Sequence, residues 1–165
     1  MRPLWFKFCM PFIILPLLLN SCASLPSTTE KRRTIAVWYI EDFTPFTKVQ
    51  PDLGEILMIE IIETLKKRGT YDEVIERKRL DLALEELRLG GKMFVDEETR
   101  LKIGKILGAR YMVFGAYQVH GNIMRIDLRL VEVETGSIRK GISKTPSGTD
   151  LTASREAARK AAEEL

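Results

Sequence analysis

RYMVFGAYQVHGNIMRIDLRL, residues 110–130, reads as two strands joined by a short link. Its first ten residues, Arg110 to Val119, are strongly apolar and rich in β-branched and aromatic side chains. That is the composition of a strand covered on both faces. Gly121-Asn122 is the residue pair of a tight reversal. Beyond it Met124, Ile126, Leu128 and Leu130 alternate with Arg125, Asp127 and Arg129, which predicts a strand with one buried and one wet face. The alternation slips at Leu130-Val131, where Val131 and Val133 take over, as a bulge would cause. Thr135-Gly136 then turns into a last strand near Ser137 to Ser143.

The rest of the chain arranges itself around this sheet. TIAVWYIEDF, Thr34 to Phe43, reads as a second central strand, with Trp38 and Tyr39 as core residues rather than a stacking platform. Asp52 stands three residues before Glu55, a capping-box-like helix start. Ile56, Leu57, Ile61 and Leu65 form a helical stripe, Lys66, Lys67 and Arg68 suit the helix C-terminus, and Gly69 closes it. Tyr71 to Arg77 reads as a short strand. Leu80, Ala83, Leu84 and Leu87 form a helix ending at Gly90-Gly91. A phosphate loop at those glycines would need a preceding strand and a following GK[ST], and both are missing. Asp96 caps a third helix with Ile103, Ile106 and Leu107 inward and Gly108 at its end. SKTPSGTD, Ser143 to Asp150, is a loop, and Leu151 to Leu165 is an Ala-rich helix with a stripe at Ala157, Ala158, Ala161 and Leu165. The expected fold class is α/β, a single-domain mixed β-sheet with helices packed on it, in the order β-α-β-α-α-β-β-β-α.

The N-terminal segment reads differently. Arg2 and Lys7 precede an apolar run, Phe8 to Leu19, that falls short of the roughly 20 residues needed to cross a bilayer. Pro11 and Pro16 lie inside it, and small residues end it, as in a secretory signal peptide. Leu19-Asn20-Ser21-Cys22 resembles the bacterial lipobox. The resemblance implies a diacylglyceryl group on the Cys22 thiol, cleavage before Cys22, and acylation of the new amine with palmitate-type chains. One acyl chain holds a protein only marginally, whereas two or more anchor it stably. Ala23 follows the cysteine, where an Asp would imply retention at the inner membrane. The expectation is therefore a lipid anchor in the outer membrane, on the periplasmic side.

Three segments follow: a lipoprotein signal peptide at 1–21, the lipidated Cys22 and a flexible tether at 22–33, and a periplasmic domain at 34–165. Cys9 leaves with the leader and Cys22 is blocked, so neither a disulfide, a thiolate nucleophile nor a Cys metal site is expected. The leader takes two of the 26 basic side chains and none of the 23 acidic ones, leaving a nearly neutral mature chain. That balance offers no electrostatic case for nucleic acid. Lys31-Arg32-Arg33 offers a contact with anionic head groups or, more plainly, a solvated start to the domain.

With these elements in place, three stretches resemble the CsgG family of outer-membrane lipoproteins: ERKRLDLALEELRLGG, VDEETRLKIGKILGARYMVFGAYQ and IDLRLVEVETGSI. The resemblance runs from Ile35 through the Thr135-Gly136 turn. It implies an α/β periplasmic domain and, in the curli branch, a multi-subunit secretion channel whose subunits each insert two strand hairpins into the membrane. LpoB-like and FlgO-like branches lack those hairpins. Here one insertion point is occupied by the tight Gly121-Asn122 link and the other by SKTPSGTD. A membrane hairpin needs two strands of about 9–11 residues each, so the pore is not expected to carry over.

The same residues offer little for catalysis. His120 is the single histidine and sits beside the hairpin turn, where an exposed turn residue is the ordinary reading. There is no HExxH, GxSxG or Rossmann glycine pattern. Asp72-Glu73, Glu85-Glu86 and Asp96-Glu97-Glu98 read as caps or solvated faces. The site expectation is thus lipidation at Cys22, with no catalytic, cofactor or metal residues and no small-molecule substrate. Two functions remain: a protein-interaction module or accessory in envelope assembly, partnered by an envelope protein or by its own copies, and a structural subunit of an outer-membrane secretion complex of the curli type.

Overall fold

The structure, a computed structural model, describes residues 32–45, 52–87 and 96–165. They fall within one compact unit, Lys31–Leu165. Nine elements follow in the expected order: β1 (Thr34–Asp42), α1 (Leu53–Arg68), β2 (Glu73–Val74), α2 (Arg77–Glu86), α3 (Glu97–Ile106), β3 (Tyr111–His120), β4 (Ile123–Glu132), β5 (Ile138–Lys144) and α4 (Leu151–Glu163). The five strands form one sheet in the order β2-β1-β3-β4-β5. β1 runs parallel to β2 and β3, while β3, β4 and β5 are successively antiparallel. The sheet is mixed, as the sequence predicts.

The two stretches that read as doubly covered strands, β1 and β3, lie side by side at the centre. Ile35, Trp38, Met112 and Val113 are fully buried. β4 keeps its alternation, with Met124, Ile126, Leu128 and Leu130 inside and Arg125 and Arg129 exposed. The register shift between β4 and β5 falls at Leu130-Val131, where the broken alternation placed a bulge. Gly121-Asn122 joins β3 to β4 with Gly121 at φ +59°, a conformation that favours glycine.

Helices cover both faces. Gly104 of α3 approaches Met112 of β3, while Ser154 of α4 donates to the Met124 sulfur at 3.0 Å. Met112 and Met124 occupy opposite sides of the paired strands, because Met124 faces Val119 in register. α1 packs on α4 and on β1. The α4 stripe of Ser154, Ala157, Ala158, Ala161 and Ala162 is wholly buried, and its small side chains let that helix lie close to its neighbours.

Four local expectations change. Asp52 makes no side-chain cap: its backbone, at φ −110° and ψ 6°, is not the extended conformation a cap uses, and Glu55 pairs with Arg77 instead. Of Tyr71 to Arg77 only Glu73–Val74 pairs as a strand, because Arg77 already begins α2. In α3, Ile103 and Leu107 are buried four residues apart on one face, and Ile106 falls off that face at 62% exposed. Leu87 follows the end of α2 at Glu86 and is likewise exposed. Gly90-Gly91 lies outside the described residues. Asp96 caps α3 as expected, accepting from the Thr99 N–H at 2.9 Å.

Candidate interaction surface

Strand directions divide the sheet into two ends. Thr34, Tyr111, Glu132 and Ile138 mark the end where the polypeptide enters the domain; Asp42, His120, Ile123 and Lys144 mark the other. A ten-residue strand spans roughly 30 Å, so what the far end presents is well separated from the entering chain.

At the far end the backbone after β1 is pinned to β3. Phe43 N–H donates to the Tyr117 carbonyl at 2.8 Å, and Val119 N–H donates to the Thr44 hydroxyl at 3.1 Å. Thr44 N–H donates in turn to the Asp42 carboxylate at 2.8 Å. Tyr117 is buried beneath this turn. Burial first, then the hydrogen bond and negative charge of Asp42, push its phenol pKa up, so it stays protonated.

On this held backbone two large apolar side chains face out: Phe43 is 62% exposed and Ile123 64%. Fully burying such a side chain is worth about 1.5–3 kcal/mol, a gain that the isolated domain forgoes at both positions. Beside Ile123 lies a hollow of about 330 Å³ lined by Pro45, Val119 and Ile123 together with the polar Gln118, His120, Arg125 and Thr145. Protein-binding surfaces mix apolar and polar groups in this way. The Arg125 guanidinium is oriented by Asp127 at 2.9 Å.

Sequence reading placed one site at Cys22, which lies outside the described residues. It placed His120 beside the hairpin turn as an exposed residue, and His120 is the exposed last residue of β3, paired with Ile123. It did not single out Phe43 or Ile123. Ile123 was detectable: Ile123-Met124 is an apolar doublet at the head of an alternating strand, so one of the two must face outward.

The charged clusters elsewhere act as ties. Tyr39 OH donates to Asp81, and Arg77 bridges Asp81 and Glu55. Arg100 pairs with Glu41 at 2.5 Å and lies 5.6 Å above the Trp38 ring. These contacts hold α2 and α3 to β1 and α1 to α2. Asp72 and Glu73 pair with Arg33 and Arg79. Among the described residues no three His, Cys, Asp or Glu side chains gather to hold a metal ion, and no helix is long and apolar enough to cross a membrane.

Known proteins share this architecture. The LpoB C-terminal domain from Salmonella enterica superposes with a TM-score of 0.58 at 16% identity, covering 70% of this chain and 82% of that one. The PelC dodecamer from Paraburkholderia phytofirmans gives 0.57 at 17%, covering 82% and 89%. Lipoprotein GNA1162 from Neisseria meningitidis gives 0.51 at 16%, covering 68% and 78%. At these identities the likeness is one of fold. No curated protein matches the sequence. The family model described as curli production assembly/transport component CsgG matches residues 19–121, from the last apolar residues before Cys22 to the β3–β4 turn. The IDLRLVEVETGSI stretch lies beyond that match. Because the matched region exceeds half the sequence, the chain belongs to the CsgG family.

Proposed function

We propose that this protein is an outer-membrane lipoprotein, acylated on Cys22, whose periplasmic domain is a protein-interaction module in envelope assembly. Residues 1–21 are the leader, 22–33 the anchor and tether, and 34–165 the domain. The role is binding rather than catalysis. One observation carries the reading: the domain holds Phe43 and Ile123 exposed on a pinned rim at the end opposite the entering chain. A tether at one end and an apolar patch at the other suit a protein that reaches from a membrane to a partner. The likeness in fold to the LpoB C-terminal domain and to lipoprotein GNA1162 is consistent with this.

A second reading, a subunit of a secretion complex, draws on the likeness to a PelC dodecamer and on β5, which forms one edge of the sheet. An edge strand is a template for pairing with another chain. Affinity capture of the tagged protein from crosslinked envelopes separates the two. Recovery of a different envelope protein in discrete complexes supports the module; a large assembly of this chain alone supports the second reading.

A further inference from the structure

The end of the sheet where the chain enters carries two adjacent hollows, of about 420 and 490 Å³, that share Arg110. Their cationic lining is Arg32, Arg33, Lys105, Arg110 and Arg139, against the two carboxylates of Glu132 and Glu134. Arg139 already serves Glu132, and Asp72 holds Arg33 from beside the hollow at 3.5 Å. The rings of Tyr71 and Tyr111 meet edge-on at 6.2 Å in the second hollow, and Arg110 lies 5.3 Å above the Tyr111 ring. Tyrosine beside arginine is the pairing that suits the headgroup layer of a bilayer. Chain connectivity adds a length limit. Lys31 follows Cys22 by nine residues, and an extended chain covers at most about 3.6 Å per residue, so an acylated Cys22 keeps this end within roughly 30 Å of the membrane surface.

We propose that this end of the domain docks on anionic phospholipid headgroups of the membrane that holds the anchor, through Arg32, Arg33, Lys105, Arg110 and Arg139. The inference rests on the anchored reading above. Docking orients the Phe43–Ile123 rim away from the bilayer. Because the cations are at the surface, the contact weakens with salt.

The test reconstitutes the purified lipoprotein on neutral phosphatidylcholine vesicles and on phosphatidylglycerol-rich vesicles. Flotation with neutral vesicles reports the anchor alone. Amide hydrogen exchange then reports the docking face: on anionic vesicles, residues 105–111 and 133–139 should exchange about tenfold more slowly, and high salt should remove the difference. Each cation near an anionic surface strengthens attachment roughly fivefold, so the exposed-site double variant Arg32→Glu, Lys105→Glu should lose the protection with an unchanged thermal melt. Equal exchange on both vesicles, slowing confined to His120–Ile123, or the same protection from inorganic phosphate in solution would each overturn the proposal. Should the protein fail to float with neutral vesicles, the anchor reading fails, and its binding to anionic against neutral vesicles still decides the docking face.

Discussion

Gly54 stands in the first turn of α1, where a β-carbon would lie 2.2 Å from the Ile40 carbonyl oxygen. Backbone meets backbone there, so no side chain can swing aside. Gly54→Ala should therefore destabilise the domain by about 2 kcal/mol or more, although alanine favours helices elsewhere. A chemical-denaturation midpoint equal to wild type would show that α1 does not pack as described. The demand for glycine was not legible in the sequence, because it comes from a carbonyl on another element. Cys22 is the converse case, where the motif alone carries the expectation and residue 22 lies outside the described residues. Cys22→Ala should abolish metabolic fatty-acid labelling, and undiminished labelling would remove the anchor from the account.

The turn from β4 to β5 is stabilised by one carboxylate. Glu132 accepts hydrogen bonds from Arg139 and from the Thr135 hydroxyl, while Gly136, at φ +68°, donates its N–H to the Glu132 carbonyl at 2.9 Å. The Arg139 hydrogen bond first, then that of Thr135, hold the Glu132 carboxyl below its usual range. A folded pKa below the unfolded one stabilises the protein above the ordinary carboxylate range, and that stability is lost as pH falls through the folded value. The gap in melting temperature between wild type and Glu132→Gln should therefore be widest at neutral pH and shrink on acidification. A gap that stays constant would mean that the charge on Glu132 does not matter. The turn itself was readable from Thr135-Gly136, and the β4 bulge from its slipped alternation. A second register shift, in β1 between Val37 and Ile40, was not. That strand is apolar almost throughout, so it has no alternation to break; the shift accompanies contacts of both Trp38 and Tyr39 with the α2–α3 side. The same limit applied to α3, where three apolar residues compete for a face that accepts two.

Among the described residues, the links between strands leave little chain for a membrane barrel. β3 and β4 are joined by two residues, and residues 145–150 join β5 to α4. Barrel strands of about 9–11 residues cannot be replaced by such links, because every backbone group in the hydrocarbon must find a strand partner. Purified protein added to planar bilayers should give no discrete conductance steps; reproducible channels would favour a secretion pore. The architecture was legible at this level because its order follows from strand and helix periods. The rim was not, because Phe43 and Ile123 reach the same end of the sheet only through the pairing of β1, β3 and β4. Whether this rim meets a partner can be read from a photoreactive residue placed at Ile123 in living cells, with Lys102 on the exposed face of α3 as the control position. A discrete crosslinked species containing a second envelope protein is expected from position 123 and none from position 102. Equal, diffuse or absent crosslinking at the two positions would contradict it.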